Sequence, residues 1–273
     1  MSAKTPLKKE LVDEKKLDSK QKIFGVAING TQKSQVLKKI GLQRKEMLHV
    51  VTVNSEFLME ARHNEKLRNV LNQCQVRVAD GWGVVWARGI LAKKGERVWV
   101  RVERISGEKL VREILKKANE RREKVFLLGA EEGIAEKAAQ AMAKRYPRAK
   151  YAWYEGAKKV KLEKKEEASM TIAKINAFEP DYLLVAYLSP WADVWIEENR
   201  EYLRARVAMG IGGVLDEWAG KTRRCPEWLD RRGGKWLWRL IQEPWRWRRI
   251  VRVLKFGGLV WLSKWGMIRD IRE

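Results

Sequence analysis

Between His49 and Trp86 the chain reads HVVTVNSEFLMEARHNEKLRNVLNQCQVRVADGWGVVW, and twice a β-rich run ends in polar residues and opens a helix. Two such units in succession predict parallel strands whose carboxyl ends point the same way. His49 to Val53 is β-branched enough for a buried strand, interrupted by Thr52 and closed by Asn54 and Ser55. Ser55 is the expected helix N-cap, with Glu56 in the first turn. Phe57, Leu58, Ala61, Leu67, Val70 and Leu71 then recur at close to a 3.6-residue period. The second unit, Gln75 to Ala79, ends at Asp80-Gly81-Trp82-Gly83 and restarts as a helix through Val84, Val85, Trp86 and Ile90. In open parallel sheets ligands sit beyond the carboxyl ends of the strands, so Thr52, Asn54 and Asp80 are expected to converge there. The competing reading makes Asp80 a helix cap and Asn54 a turn residue, and both types are common at helix starts.

The same alternation continues on either side. Ile23 to Ile28 reads as a first strand, Asn29-Gly30-Thr31 as a turn and Gln32 to Ile40 as a helix. Val98, Val100 and Val102 alternate with Trp99, Arg101 and Glu103, a period-2 pattern for a hairpin over the site. Gly107 to Arg122 is an amphipathic helix, and Val125 to Leu128 a strand closed by Gly129. A glycine turn at a helix start suits phosphate, but this one lacks the third glycine of GxGxxG and is followed by Glu131 and Glu132. Close strand–helix packing is the alternative job for Gly129. Strands at Lys150 to Tyr154, Tyr182 to Tyr187 and Arg206 to Met209, helices at Ala168 to Phe178 and from Pro190, and the turn Gly210-Ile211-Gly212-Gly213 complete the pattern. The expected fold is an α/β domain, a mainly parallel, Rossmann-like sheet flanked by helices.

The tail differs. From Arg223 to Glu273 there are 14 Lys or Arg against 5 acids and 7 of the chain's 14 tryptophans, with no strand signal. This divides the chain into a lead-in (1–22), an α/β domain (23–222) and an α-helical appendage (223–273). In WRWRRIVRVLK, Trp247, Ile250, Val251 and Leu254 fall at i, i+3, i+4, i+7, with Arg248, Arg249, Arg252 and Lys255 projecting from the other side. Such a basic, tryptophan-bearing helix packs on its own core or lies at a membrane surface. Gly257-Gly258 is expected to break it.

The 58 basic and 35 acidic side chains leave a net charge of +23, which points to an anionic partner. Nucleic acid is disfavoured, because no RNP motif, zinc finger or basic region with heptads is present. Two cysteines without a CxxC pair and two histidines, His49 and His63, argue against a disulfide framework or a metal cluster. No apolar run approaches the ~18 residues of a spanning helix, and the first residues lack the apolar core of a signal peptide. A cytoplasmic protein is expected, and a homo-oligomer stays open.

The segments TVNSEFLMEAR, VADGWGVVWA, RISGEKL, VFLLGA, MGIGGVLDEWAGKTRRCPEWL and LWRLIQEPWRWRR stand in an order and approximate spacing that resembles the WecG/TagA/CpsF glycosyltransferases, from Ile23 to about Arg249. The resemblance implies an α/β domain with a helical appendage, and transfer of an N-acetylmannosamine-type sugar from a UDP donor to an undecaprenyl-diphosphate-linked GlcNAc. It further implies inversion, no cofactor and no metal, a role in wall teichoic acid or related surface polymers, and peripheral attachment to the inner face of the membrane through the appendage. Carried over by motif, Asp80 and Thr52 are catalytic and Asn54 and Arg104 bind substrate, with Arg97 as the rival for the arginine's role. Arg223, Arg224 and Arg239 face the diphosphate, and the turn glycines Gly81, Gly129, Gly212 and Gly213 join the substrate site. Trp247, Arg248, Arg249, Val251, Arg252 and Leu254 meet the membrane. One departure stands out: where the family has GxPKQExW, this chain has Trp191, Ala192 and Asp193 for the lysine, glutamine and glutamate. Alanine offers no side-chain hydrogen bond, so an altered donor preference or slow turnover is expected.

Overall fold

The computed structural model describes residues 22–43, 46–92, 102–158 and 160–267. Arg97, Val98 to Arg101 of the alternating segment, and the lead-in before Lys22 lie outside them. Six strands, β3 (Leu48–Val53), β4 (Val76–Ala79), β5 (Lys124–Leu128), β6 (Lys150–Tyr154), β7 (Tyr182–Val185) and β8 (Val207–Gly210), form one sheet in the order β4-β3-β8-β7-β5-β6. Every pairing in it is parallel. The apolar run Ile23 to Ile28 does not join this sheet. Phe24 and Gly25 take φ of 50° and 74° and reverse the chain, so the run becomes the hairpin β1 (Lys22–Ile23) and β2 (Val26–Ala27).

Side-chain alternation sorts the helices onto the two faces. Val50, Val78, Leu127, Leu184 and Met209 pack under α1 (Lys33–Gly41), α5 (Gly107–Arg121), α6 (Ile134–Arg145) and α9 (Val214–Trp218). On the other face Val51, Val53 and Ala79 meet α2 (Ser55–His63), α3 (Glu65–Gln73) and α4 (Trp82–Leu91). Phe126, Leu128, Leu183, Val185 and Ala208 meet α7 (Lys165–Phe178) and α8 (Trp191–Glu198) there. The helix expected from Pro190 ends at Glu198, and a separate 3₁₀ turn, Arg200–Tyr202, follows it.

Three helices follow: α10 (Glu227–Arg231), α11 (Lys235–Gln242) and α12 (Trp247–Lys264). The expected break at Gly257-Gly258 does not occur, and α12 runs 18 residues through both glycines. Phe256 and Val260, 1% and 0% exposed, are buried among α2 and α4 side chains, with Phe256 edge-on to Phe24 at 6.0 Å. Burying those side chains at about 1.5–3 kcal/mol each offsets glycine's helix penalty of about 1 kcal/mol. The far side of α12 is apolar as well. Trp247, Val251, Leu254 and Trp261 are 56%, 40%, 70% and 49% exposed, and they fall on the face opposite Phe256. Ile250 is half-buried, and Arg249, expected at a lipid surface, turns toward the protein with its guanidinium 3.6 Å from Glu56.

A buried polar cluster ties β3 to α8. His49, fully buried, places Nε2 3.1 Å from Asp193 Oδ1 and Nδ1 3.0 Å from Glu197 Oε2, with Cys74 Sγ at 3.2 Å from Nδ1. The Cys74 thiol donates to the Val70 carbonyl at 3.2 Å, and Arg200 also reaches Glu197 at 3.2 Å. Burial opposes charge on His49, but the Cys74 sulfur and the two carboxylates overcome it and hold the imidazole pKa well above its ordinary value. Glu197 resists burial in the same way and sits below the usual carboxylate range through His49 and Arg200.

Candidate active site

The chain leaves β3 toward α2 on one face of the sheet and leaves its neighbour β8 toward α9 on the other. The diverging connections open a crevice at the carboxyl ends of β3, β4 and β8, the switch point at which α/β sheets bind ligands. Thr52, one residue before the end of β3, points to the same face as Val50 and meets the start of α5. The two side chains converge on Gly107. A Cβ there would lie in ordinary contact, 3.4 Å from Thr52 Oγ1 and 3.8 Å from Asp80 Oδ2, so the first turn of α5 sits against both side chains. The Gly107 N–H donates to Asp80, and Ser106 caps the helix by accepting from Lys109 N–H at 3.4 Å.

Asp80 is not a helix cap. Helix α4 begins after Gly81, whose φ of 110° requires glycine and whose position supplies no side-chain cap. The carboxylate is therefore left for other work. Burial raises its pKa above the ordinary aspartate range, against the pull of Lys235, Arg239, Arg104 and the Gly107 N–H. A carboxylate in that position is a stronger base than a free one. Asn54, by contrast, is the N-cap of α2, in place of the expected Ser55: its Oδ1 accepts from Phe57 N–H at 3.0 Å. A ligand contact by Asn54 falls to its amide NH₂.

The C-terminal helices cover the crevice from above. Arg104 donates through Nη1 to the Asp230 carbonyl at 2.7 Å, pairs through Nη2 with the Asp230 carboxylate, and lies 5.7 Å from the Trp82 ring centroid. Lys109 joins Asp230 at 2.9 Å. Burial would raise the Asp230 pKa, but the bonds from Lys109 and Arg104 hold it below the ordinary range. A cleft of ≈ 380 Å³ lies between α9 and α11, lined among others by Gly213, Glu217, Thr222, Arg223, Lys235 and Arg239. Arg239 reaches Glu217 at 3.3 Å. The backbone of Arg223 is strapped to α11, its N–H donating to Gln242 Oε1 at 2.7 Å and its carbonyl accepting from Trp238 Nε1 at 3.0 Å, while its side chain is exposed. Arg224 lies over a second cleft of ≈ 260 Å³, with Nε 3.3 Å from Glu108.

Thr52 and Asp80 thus meet at Gly107, Arg104 and Arg239 act on the Asp80 carboxylate beside Gly81, and Gly213 and Arg239 line the cleft between α9 and α11, with Gly212 in the turn after β8 at a φ of 52°. Gly129 is not gathered there. It ends β5, which β3, β8 and β7 separate from β4, and its φ of 96° and the approach of Tyr187 Cδ1 to 2.9 Å of a would-be Cβ account for the glycine. Lys235 was not singled out by the sequence reading. The signal for it was the apolar period Trp236, Leu237, Leu240, Ile241, which puts Lys235 and Arg239 on the opposite face of α11.

The departure at Ala192 takes a different meaning in three dimensions. Ala192 is 2% exposed within the cluster that holds Tyr187, Trp195 and Ile196, so a glutamine here meets packed core, and the expectation that it tunes donor preference loses its geometric basis. Ala192→Gln is expected to destabilise the fold by about 1–3 kcal/mol through overpacking. Denaturant unfolding checks this, and an unchanged midpoint would show that the site has room.

A parallel α/β sheet with one carboxylate at its switch point, under helices that bring cations to it, fits a transferase for phosphate-bearing substrates. The chain belongs to the Glycosyl transferase WecG/TagA/CpsF family, whose model matches residues 21–270. It is 31% identical over 246 residues, 89% of this chain and 91% of the relative, to the N-acetylglucosaminyldiphosphoundecaprenol N-acetyl-beta-D-mannosaminyltransferase of Staphylococcus aureus strain MRSA252. The same figures hold for the protein of that name from strain NCTC 8325 / PS 47. The protein is a glycosyltransferase.

Proposed function

We propose that this glycosyltransferase moves an N-acetylmannosamine-type sugar from a UDP donor to a GlcNAc carried on undecaprenyl diphosphate, with inversion, in the assembly of a cell-surface polymer such as wall teichoic acid. The observation that carries the reading is Asp80, a carboxylate at the switch point with a raised pKa, facing Lys235, Arg239 and Arg104. Asp80 takes the proton of the acceptor hydroxyl as that oxygen attacks the anomeric carbon from the side opposite the diphosphate. Thr52, beside it across Gly107, orients that hydroxyl. The negative charge that develops on the leaving diphosphate as its bond to the anomeric carbon breaks is met by cations lining the cleft, Lys235 and Arg239, with Arg223 beside them. The reading assigns no metal and no cofactor. A donor screen with a short-chain GlcNAc-diphosphate-lipid acceptor, scored for UDP release, tests it: acceptor-dependent release from UDP-N-acetylmannosamine is expected, and release from no donor would overturn it.

The same reading lays the C-terminal helices against the inner face of the membrane. Among the described residues no helix is long and apolar enough to cross a bilayer. The outer stripe of α12 and the exposed Trp236, Ile241 and Trp245 would enter the headgroup boundary. Arg248, Arg252 and Lys255, all exposed, would meet anionic lipid at about 1 kcal/mol each. Trp247→Glu with Leu254→Glu, both at exposed positions, should weaken sedimentation with anionic vesicles without unfolding the chain. Wild-type binding indifferent to lipid charge and to salt would contradict this placement.

A further inference from the structure

Helix α4 opens two residues after Asp80 and presents a stripe to solvent that its packing does not use. Val84, Ala87 and Leu91 bury one side, at 0%, 0% and 2% exposure. On the other side Trp82, Trp86 and Gly89 recur at i, i+4, i+7, and the two tryptophans are 50% and 41% exposed. Trp82 is held in place. The Arg104 guanidinium stands 5.7 Å from its ring centroid, and Gly233, at a φ of 81°, comes so near that a Cβ would lie 2.9 Å from Trp82 Cδ1. Trp86 follows about one turn on, about 6 Å further along the helix. Two large apolar rings thus lead away from the carboxylate, starting at Arg104, one of the cations that act on it.

We propose that Trp82 and Trp86 form a track for the first isoprene units of a polyprenyl diphosphate. The inference rests on the glycosyltransferase reading above. If the acceptor's sugar hydroxyl lies at Asp80 and the donor's diphosphate takes Lys235 and Arg239, the acceptor's own diphosphate falls to Arg104, the cation that stands against Trp82, and the apolar chain must emerge beside it. The α4 stripe is an apolar surface that begins at that point, and the indole faces give it area at little conformational cost. This contact belongs to the ligand's own chain and is separate from the bilayer contact of the α12 stripe.

Titration calorimetry with dimethylallyl, geranyl and farnesyl diphosphate, free of vesicles and detergent, tests the track without requiring sugar transfer. Wild-type protein should bind the three-isoprene probe at least about tenfold more tightly than the one-isoprene probe, the gain from burying roughly two methylene equivalents. In Trp82→Ala with Trp86→Ala that ratio should collapse to within about threefold. Each protein serves as its own reference, so a general loss of diphosphate affinity cancels. Trp247→Glu with Leu254→Glu should keep the wild-type ratio. A wild-type ratio near one, a double tryptophan variant that retains the length dependence, or loss of it in the α12 variant would each overturn the track. Failure of UDP release with normal length dependence would instead count against the proposed reaction.

Discussion

Asp80→Asn is expected to lower turnover by about 10²- to 10⁴-fold, the usual contribution of a positioned general base. The substitution keeps the size and the carbonyl acceptor that receives the Gly107 N–H but cannot take a proton. Folding should be affected little and in the favourable direction. Burial already disfavours the charged carboxylate, so a neutral amide removes a desolvation cost while forfeiting its attraction to Lys235, Arg239 and Arg104. The expected signature is a large fall in kcat with a thermal midpoint within a few degrees of wild type. Wild-type turnover in the variant would remove Asp80 from the chemistry.

His49→Leu should be the most damaging single change to stability. It leaves the Asp193 carboxylate, buried at 2% exposure, without the imidazolium 3.1 Å away, and takes one of two cations from Glu197. Removing one member of a buried ion pair costs about 3–5 kcal/mol, a large share of the about 5–15 kcal/mol that holds a typical domain folded. The pH dependence has a definite sign. Because the folded-state pKa of His49 is raised, its contribution is fully present below the unfolded value near 6.5 and is lost as pH rises through the folded value. The stability gap between wild type and His49→Leu should therefore be widest in mild acid and narrow on the alkaline side. Equal denaturation midpoints at pH 6 would show that His49 is neutral in the folded protein.

Much of the sheet was legible because its strands carry their own signal. β3 and β4 are β-branched runs stopped by polar residues, and the two helices between them keep a clear apolar period. Asp80 was legible for the same reason, as the acidic residue at the end of a strand. What failed to show depends on partners far away in the chain. The run from Ile23 to Ile28 has strand composition, yet a positive φ at Phe24 folds it into a hairpin, and no local pattern announces that. Gly257-Gly258 reads as a stop until Phe256 and Val260 find the α2 and α4 side chains to bury against. His49 looked like part of an ordinary strand. Its carboxylate partners lie 144 and 148 residues further on. Asn54 was placed at the site but works first as a cap, because cap and ligand contacts draw on the same residue types at the same strand ends.

The central claim, that Asp80 is the base of a glycosyl transfer, is tested most directly by the pH dependence of kcat/KM for acceptor-dependent UDP release in wild type and Asp80→Asn. The raised pKa of Asp80 predicts a wild-type acid limb above the ordinary aspartate range, and that limb should be absent from the residual activity of the variant. An acid limb that persists unchanged in Asp80→Asn would contradict the account.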